Sequence, residues 1–199
     1  MEPLQQRIRQ LKEYSRIAEI GEIARRYFAM NAFDGVLTIT GVLTGSYIAQ
    51  VRRASIVIFT GLSTCIAMGI SGLWGAYLTE SAERKRDLND LENHTLTDLS
   101  GTKIGRASRA AVVVVALVDG LAPFLAALVV LLPFFFSGLL ADVVLSYYLS
   151  LAMALVVLFA VGAFLGSVSK DSLLISGLKM IVAGLVSIAL SYLLKVEGR

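Results

Sequence analysis

Apolar residues run through this chain in long blocks and do not alternate with polar ones, so the pattern predicts helices and not strands. At 1.5 Å of rise per residue, a helix needs roughly 20 apolar residues to cross a hydrocarbon core of about 30 Å. Residues 27–51, 56–78, 110–136, 143–168 and 173–194 meet that length. They are separated by Arg52 and Arg53, a charged stretch over 80–109, a short turn over 137–142, and Lys170 with Asp171. The pattern therefore predicts an all-α integral membrane protein with five transmembrane helices. Its segments are 1–26, a cytoplasmic amphipathic helix; 27–79, spans one and two; 80–109, a charged cytoplasmic loop or helix; 110–194, spans three to five; and a tail, 195–199. Within the first segment Leu4, Ile8, Leu11, Ile17 and Ile20 recur at near-helical spacing among charged neighbours. That helix would lie on anionic headgroups or pack on the central charged segment. It contains no apolar run of about seven residues, so it does not read as a signal peptide.

Composition agrees with the blocks. Of 199 residues, 56% are hydrophobic and 17% charged, against about 45–50% and 25% in soluble domains. His94 and Cys65 are the sole residues of their kinds, which excludes a disulfide scaffold and a soluble metal site built on histidine and cysteine. No nucleophile–base spacing stands out, so no enzyme is expected. The net charge of +3 is explained by where the basic residues sit. Arg7, Arg9, Lys12, Arg16, Arg25, Arg26, Arg84, Lys85, Arg86, Lys103, Arg106, Arg109 and Lys170 fall on one side of the predicted spans; Arg52, Arg53, Lys195 and Arg199 fall on the other. Short loops rich in Lys and Arg stay cytoplasmic, which predicts an N-terminus inside and a C-terminus outside. The expected surface partner is lipid, and no nucleic acid is implied.

A charge at the bilayer centre costs about 2.5–3.5 kcal/mol even on the lenient insertion scale, so each one needs a partner or a purpose. Asp34, Asp119 and Lys179 qualify. Asn31, Asp34 and Thr38 are spaced to share one face of the first span, with Gly41 and Gly45 continuing the stripe. A carboxylate beside an amide and a hydroxyl is a hard-oxygen environment suited to a divalent cation or a proton. Asp119 repeats the Asp-Gly pair in VDGLAPF, where Pro123 brings no N–H to the carbonyl of Asp119. One position then offers a carboxylate and a backbone carbonyl together, as broken transporter helices do. The alternative is a simple kink. Lys179 shares a face with Ser172, Ser176, Ala183 and Ser187 and would pair with one of the acids, either as a fixed strut or as a cation displaced by cargo. In the second span Gly61, Thr64, Met68, Ser71 and Gly75 form a small, polar face, with Met68 a candidate thioether ligand or a packing residue. Gly41 with Gly45, and Gly162 with Gly166, are GxxxG pairs suited to helix or subunit contact. Glu80, Glu83, Asp87, Asp90 and His94 recur three or four apart. On a helix they line one face, either as a cation-gathering mouth or as a solvated surface with pairs such as Glu80 to Arg84.

The runs NAFDGVLTITGVLTG, GLSTCIAMGISGLWGAYLTESAER and GLKMIVAGLVSIALSYLL, with the Pro-containing third span between them, resemble the vacuolar iron transporter family over nearly all five spans. The resemblance implies a five-span homodimer that exchanges ferrous iron or manganese for protons, with Asp34 matching the family's first-span aspartate. Laid without gaps, the family's second-span glutamate falls on Thr64 and its metal-facing methionine on Gly72, with Met68 one turn earlier. The family's long cytoplasmic metal-binding insertion would lie between spans two and three, and the acidic stripe ending at His94 resembles a shortened remnant of it. The expected function is proton-coupled transport of iron or manganese, the metal being cargo and not a tightly bound cofactor. The expected setting is a prokaryotic cell membrane, or a vacuolar-type membrane in a eukaryote. The alternative is a non-transporting membrane scaffold whose buried charges are structural ion pairs.

Overall fold

A computed structural model of the chain describes residues 20–140 and 142–197, the side chains as far as residue 193. The amphipathic pattern over Leu4 to Ile17 and the tail residue Arg199 lie outside the described residues. Among them the structure is all helical: α1 (Ile20–Ile48), α2 (Ala54–Thr95), α3 (Lys103–Phe135), α4 (Val143–Ser169) and α5 (Leu173–Glu197). Each runs through most or all of one of the five apolar blocks. Helices α2, α3, α4 and α5 are long and apolar enough to cross a membrane, so the protein is an integral membrane protein. Helix α1, at 29 residues, has the length but is less apolar. Asn31, Asp34, Thr38, Thr40 and Thr44 interrupt its apolar run.

The charged segment after the second apolar block is mostly helix. Helix α2 continues for 42 residues, through the acidic stripe to Thr95, because nothing between Thr79 and His94 is a Gly or Pro that would stop it. It ends where Leu96 takes φ 51°. The turn into α3 is then tied by Glu92, which accepts from Leu99 N–H at 2.8 Å, and by Asp98, which accepts from Ser100 N–H at 2.8 Å. The Ser100 hydroxyl and N–H beside Asp98 hold its carboxyl below the usual carboxylate range. The tie is therefore present above that range and weakens as pH falls through the lowered pKa. Helix α4 starts on Asp142, which accepts from Val144 N–H as an N-cap, and stops at Lys170, left-handed at φ 59°.

The chain divides into two compact units. One holds 70–121 with the start of α1 as far as Phe28; the other holds 29–69 and 122–199. In the larger unit Val36, Ile39 and Leu43 of α1, Val57 and Cys65 of α2, Ala127, Val130, Leu131 and Phe134 of α3, and Tyr147, Ala154 and Leu158 of α4 form one buried core. Two close approaches organise it. A Cβ on Gly35 would lie 2.5 Å from the carbonyl oxygen of Pro123 and 2.6 Å from its Cα, so α1 meets α3 backbone to backbone there. The Gly162 and Gly166 pair plays the same part between α4 and α5, where a Cβ on Gly162 would lie 2.5 Å from Ser176 O. That GxxxG pair is thus a contact within the chain. Gly41 and Gly45 face open space. In the smaller unit Ile20, Ala107 and Ala111 are buried together, with Val114 packed against them.

Candidate ion-path residues

The direction each residue faces follows from the packing of α1. Ala32, Val36, Ile39, Thr40 and Leu43 are buried, which turns the Asn31–Asp34–Thr38 stripe outward. Asp34 is exposed, Asn31 and Thr38 are half-buried, and the stripe continues over the open glycines 41 and 45. Asp34 makes no ion pair or side-chain hydrogen bond among the described residues. The Asp-Gly pair splits its duties, since successive helical residues point about 100° apart. Gly35 turns inward onto Pro123, and Asp34 turns out.

The second Asp-Gly pair is arranged differently. Asp119, 9% exposed, lies against α2 at Gly72, where an added Cβ would lie 2.8 Å from the Asp119 carbonyl oxygen and 3.2 Å from Oδ2. Carboxylate and carbonyl therefore face the same point, and Gly72 is the residue that leaves room for both.

Two residues beyond the apolar block of α2, Glu80 is buried, at 5% exposure. It accepts from the Tyr27 hydroxyl at 3.3 Å through Oε1 and from Arg84 Nε at 3.4 Å through Oε2. Asp119 is near enough to act electrostatically on the same tyrosine, and the Arg26 guanidinium stands 5.7 Å from its ring centre. Tyr27, on α1, thus anchors a buried acid of α2. Spacing could not have found it, because Tyr27 and Glu80 are 53 positions apart; the one available signal was a tyrosine at the edge of an apolar block. Tyr27→Phe leaves one oxygen of a buried carboxyl without its donor, an expected loss of about 1–3 kcal/mol. Thermal unfolding of the detergent-solubilised variant would read it as a drop of several degrees.

The rest of the acidic stripe stays on the surface. Glu83, Asp87, Asp90 and His94 are exposed; His94 Nδ1 lies 2.7 Å from the Asp90 carbonyl, and Asp90 is 4.0 Å from Arg86. Among the described residues no three His, Cys, Asp or Glu side chains are gathered to hold a metal. Met68 is half-buried and packs on the larger unit's core. Lys179 lies exposed on α5 and forms no ion pair with Asp34.

Residues 89–195 match the model of the VIT family, and the chain is 31% identical over 173 residues to the uncharacterized protein MJ0645 of Methanocaldococcus jannaschii, covering 85% of this chain and 87% of that one. The chain belongs to the VIT family. The family match covers the end of α2, all of α3 and α4, and α5 as far as residue 195, so Asp119 and its Pro123 lie inside the matched region. Asp34, with the Asp-Gly pair of α1, lies before it. This VIT-family chain is a divergent member, and membership makes it a membrane metal-ion transport protein by class.

Proposed function

We propose that the protein moves a divalent transition metal, ferrous iron or manganous ion, across its membrane in exchange for protons, as a homodimer. The observation that carries this reading is the outward direction of Asp34. A carboxylate on the exposed face of a helix within a membrane protein cannot be left to lipid, where it costs about 2.5–3.5 kcal/mol. A second copy of the chain laid along the Asn31–Asp34–Thr38 stripe removes it from lipid and lines a polar path with oxygen ligands. Gly41 and Gly45 offer the backbone approach such a contact needs.

In this reading α1 is the fifth span, the N-terminus is cytoplasmic and the C-terminus lies outside. Asp34, helped by Asn31 and Thr38, alternately holds metal and proton. Asp119, with its carbonyl at Gly72, is a second oxygen site. Glu80, fixed by Tyr27 and Arg84, marks the cytoplasmic end, and Glu83, Asp87, Asp90 and His94 raise the local cation concentration there. Met68 shapes the wall beside the path, and Lys179 tunes the field at Asp34 and Asp119. Purified protein in liposomes is expected to take up ferrous or manganous ion when a pH gradient is imposed, and to stop when the gradient is collapsed. Uptake no faster than in empty liposomes would overturn the proposal.

A further inference from the structure

Serine and threonine on a helix usually satisfy a buried hydroxyl by donating to the carbonyl one turn back. This protein uses that bond freely: Thr40 donates to Val36 O at 2.6 Å, Thr64 to Thr60 O, Thr79 to Gly75 O, Ser169 to Leu165 O and Ser191 to Ser187 O. Three hydroxyls break the habit. Thr44 on α1, and Ser146 and Ser150 on α4, have buried oxygens with no hydrogen-bond partner among the described residues. Nearly all buried polar groups in native proteins are hydrogen-bonded to protein or to ordered water, so three in one core need an explanation.

They lie in one seam. Tyr47 of α1 sits against Tyr147 and Tyr148 of α4, with ring centres 5.4 and 5.9 Å apart, and Tyr147 donates to Val51 O at 2.9 Å. Antiparallel helices meet here by their ends. Three residues inward from Tyr47 is Thr44, and three inward from Tyr147 is Ser150, each about 4.5 Å deeper by helix rise. Ser146 and Ser150 are one turn apart on the same buried face of α4, which continues to Ala154. At the mouth of the seam the Tyr47 and Tyr148 hydroxyls are bonded to each other at 3.0 Å in an exposed position.

The geometry points to a binding site for ordered water, enclosed by the hydroxyls of Thr44, Ser146 and Ser150 and reached past the Tyr47–Tyr148 pair. The three ligating groups are neutral donor–acceptors, which selects a neutral guest able to give and receive hydrogen bonds. Water in this seam takes the bonds that the three hydroxyls decline to make with the backbone. It joins α1 to α4 through an exchangeable link.

X-ray radiolytic footprinting of the full-length protein in liposomes tests this, because radicals form on bound water and oxidise the side chains beside it. Tyr147 and Leu43, both at most 1% exposed, are expected to be oxidised, while the equally buried Leu131 and Val130 are protected. Ser150→Ala and Thr44→Val are expected to abolish that labelling and to lower the unfolding temperature. Tyr147 and Leu43 labelled no more than Leu131 in the wild type would overturn the inference. So would Ser146→Ala or Ser150→Ala raising the unfolding temperature, the result expected if the hydroxyls are bare and their removal relieves the core.

Discussion

Asp34→Asn is expected to reduce metal uptake by at least the roughly 10–100-fold that a metal site loses with a mere supporting partner, while leaving folding unchanged. The substitution keeps size and hydrogen-bonding capacity but removes the negative charge and the proton-binding oxygen. Asp34 has no ion pair or side-chain hydrogen bond among the described residues, so no intrachain interaction is broken. This separation makes the experiment decisive. If Asp34 served only as a structural charge inside a scaffold, uptake would be absent in wild type and variant alike. If transport ran by another route, uptake would be equal in both. Initial rates of manganous-ion uptake in liposomes, compared at matched protein content and with unfolding temperatures measured alongside, distinguish these results. Glu80→Gln is the contrasting control. It alters a buried group held by Tyr27 and Arg84, so its first effect falls on stability.

The contrast between Asp34 and Glu80 also marks how far the sequence could be read. Apolar blocks are a one-dimensional signal, and the helices follow them closely: the blocks over 143–168 and 173–194 are α4 and α5 nearly to the residue. Facing is different. Helical spacing groups Asn31, Asp34 and Thr38 correctly on one face, but nothing in a spacing says whether that face meets the chain's own core or its surroundings. The same limit applies to the acidic stripe. Glu80 and Glu83 are three apart and look equivalent in sequence, yet Glu80 is buried under Tyr27 and Glu83 is exposed. The difference is made by a residue on another helix. Lys179 reads as an inward charge because it sits mid-block among serines, whereas α5 turns Gly177 and Gly184 inward against α4 residues and leaves the lysine outside. The two GxxxG pairs are alike as strings and unlike in use, one closing α4 on α5 and the other open.

The Gly35 contact gives the largest expected effect on the fold itself. Gly35→Ala is expected to destabilise the protein by more than the about 1–3 kcal/mol typical of an overpacked core. The new methyl would meet Pro123 at its carbonyl oxygen, Cα and carbonyl carbon, at 2.5, 2.6 and 2.9 Å. These are backbone atoms, which cannot rotate aside as a leucine tip can, so α1 and α3 must separate. That separation opens the packing of Val36 and Ile39 against Val130 and Leu131 in the same core. The control is the same substitution two turns along the same helix. At Gly41 an added Cβ meets nothing within 4 Å, and replacing a helical glycine by alanine favours the helix by about 1 kcal/mol. Gly35→Ala and Gly41→Ala should therefore move the unfolding temperature of the detergent-dispersed monomer, in which no second copy covers Gly41, in opposite directions. A Gly35→Ala protein as stable as wild type would show that the close approach of α1 to Pro123 is not what holds the two helices in register. The outward direction inferred for Asp34, one residue before this contact, would then lose its anchor.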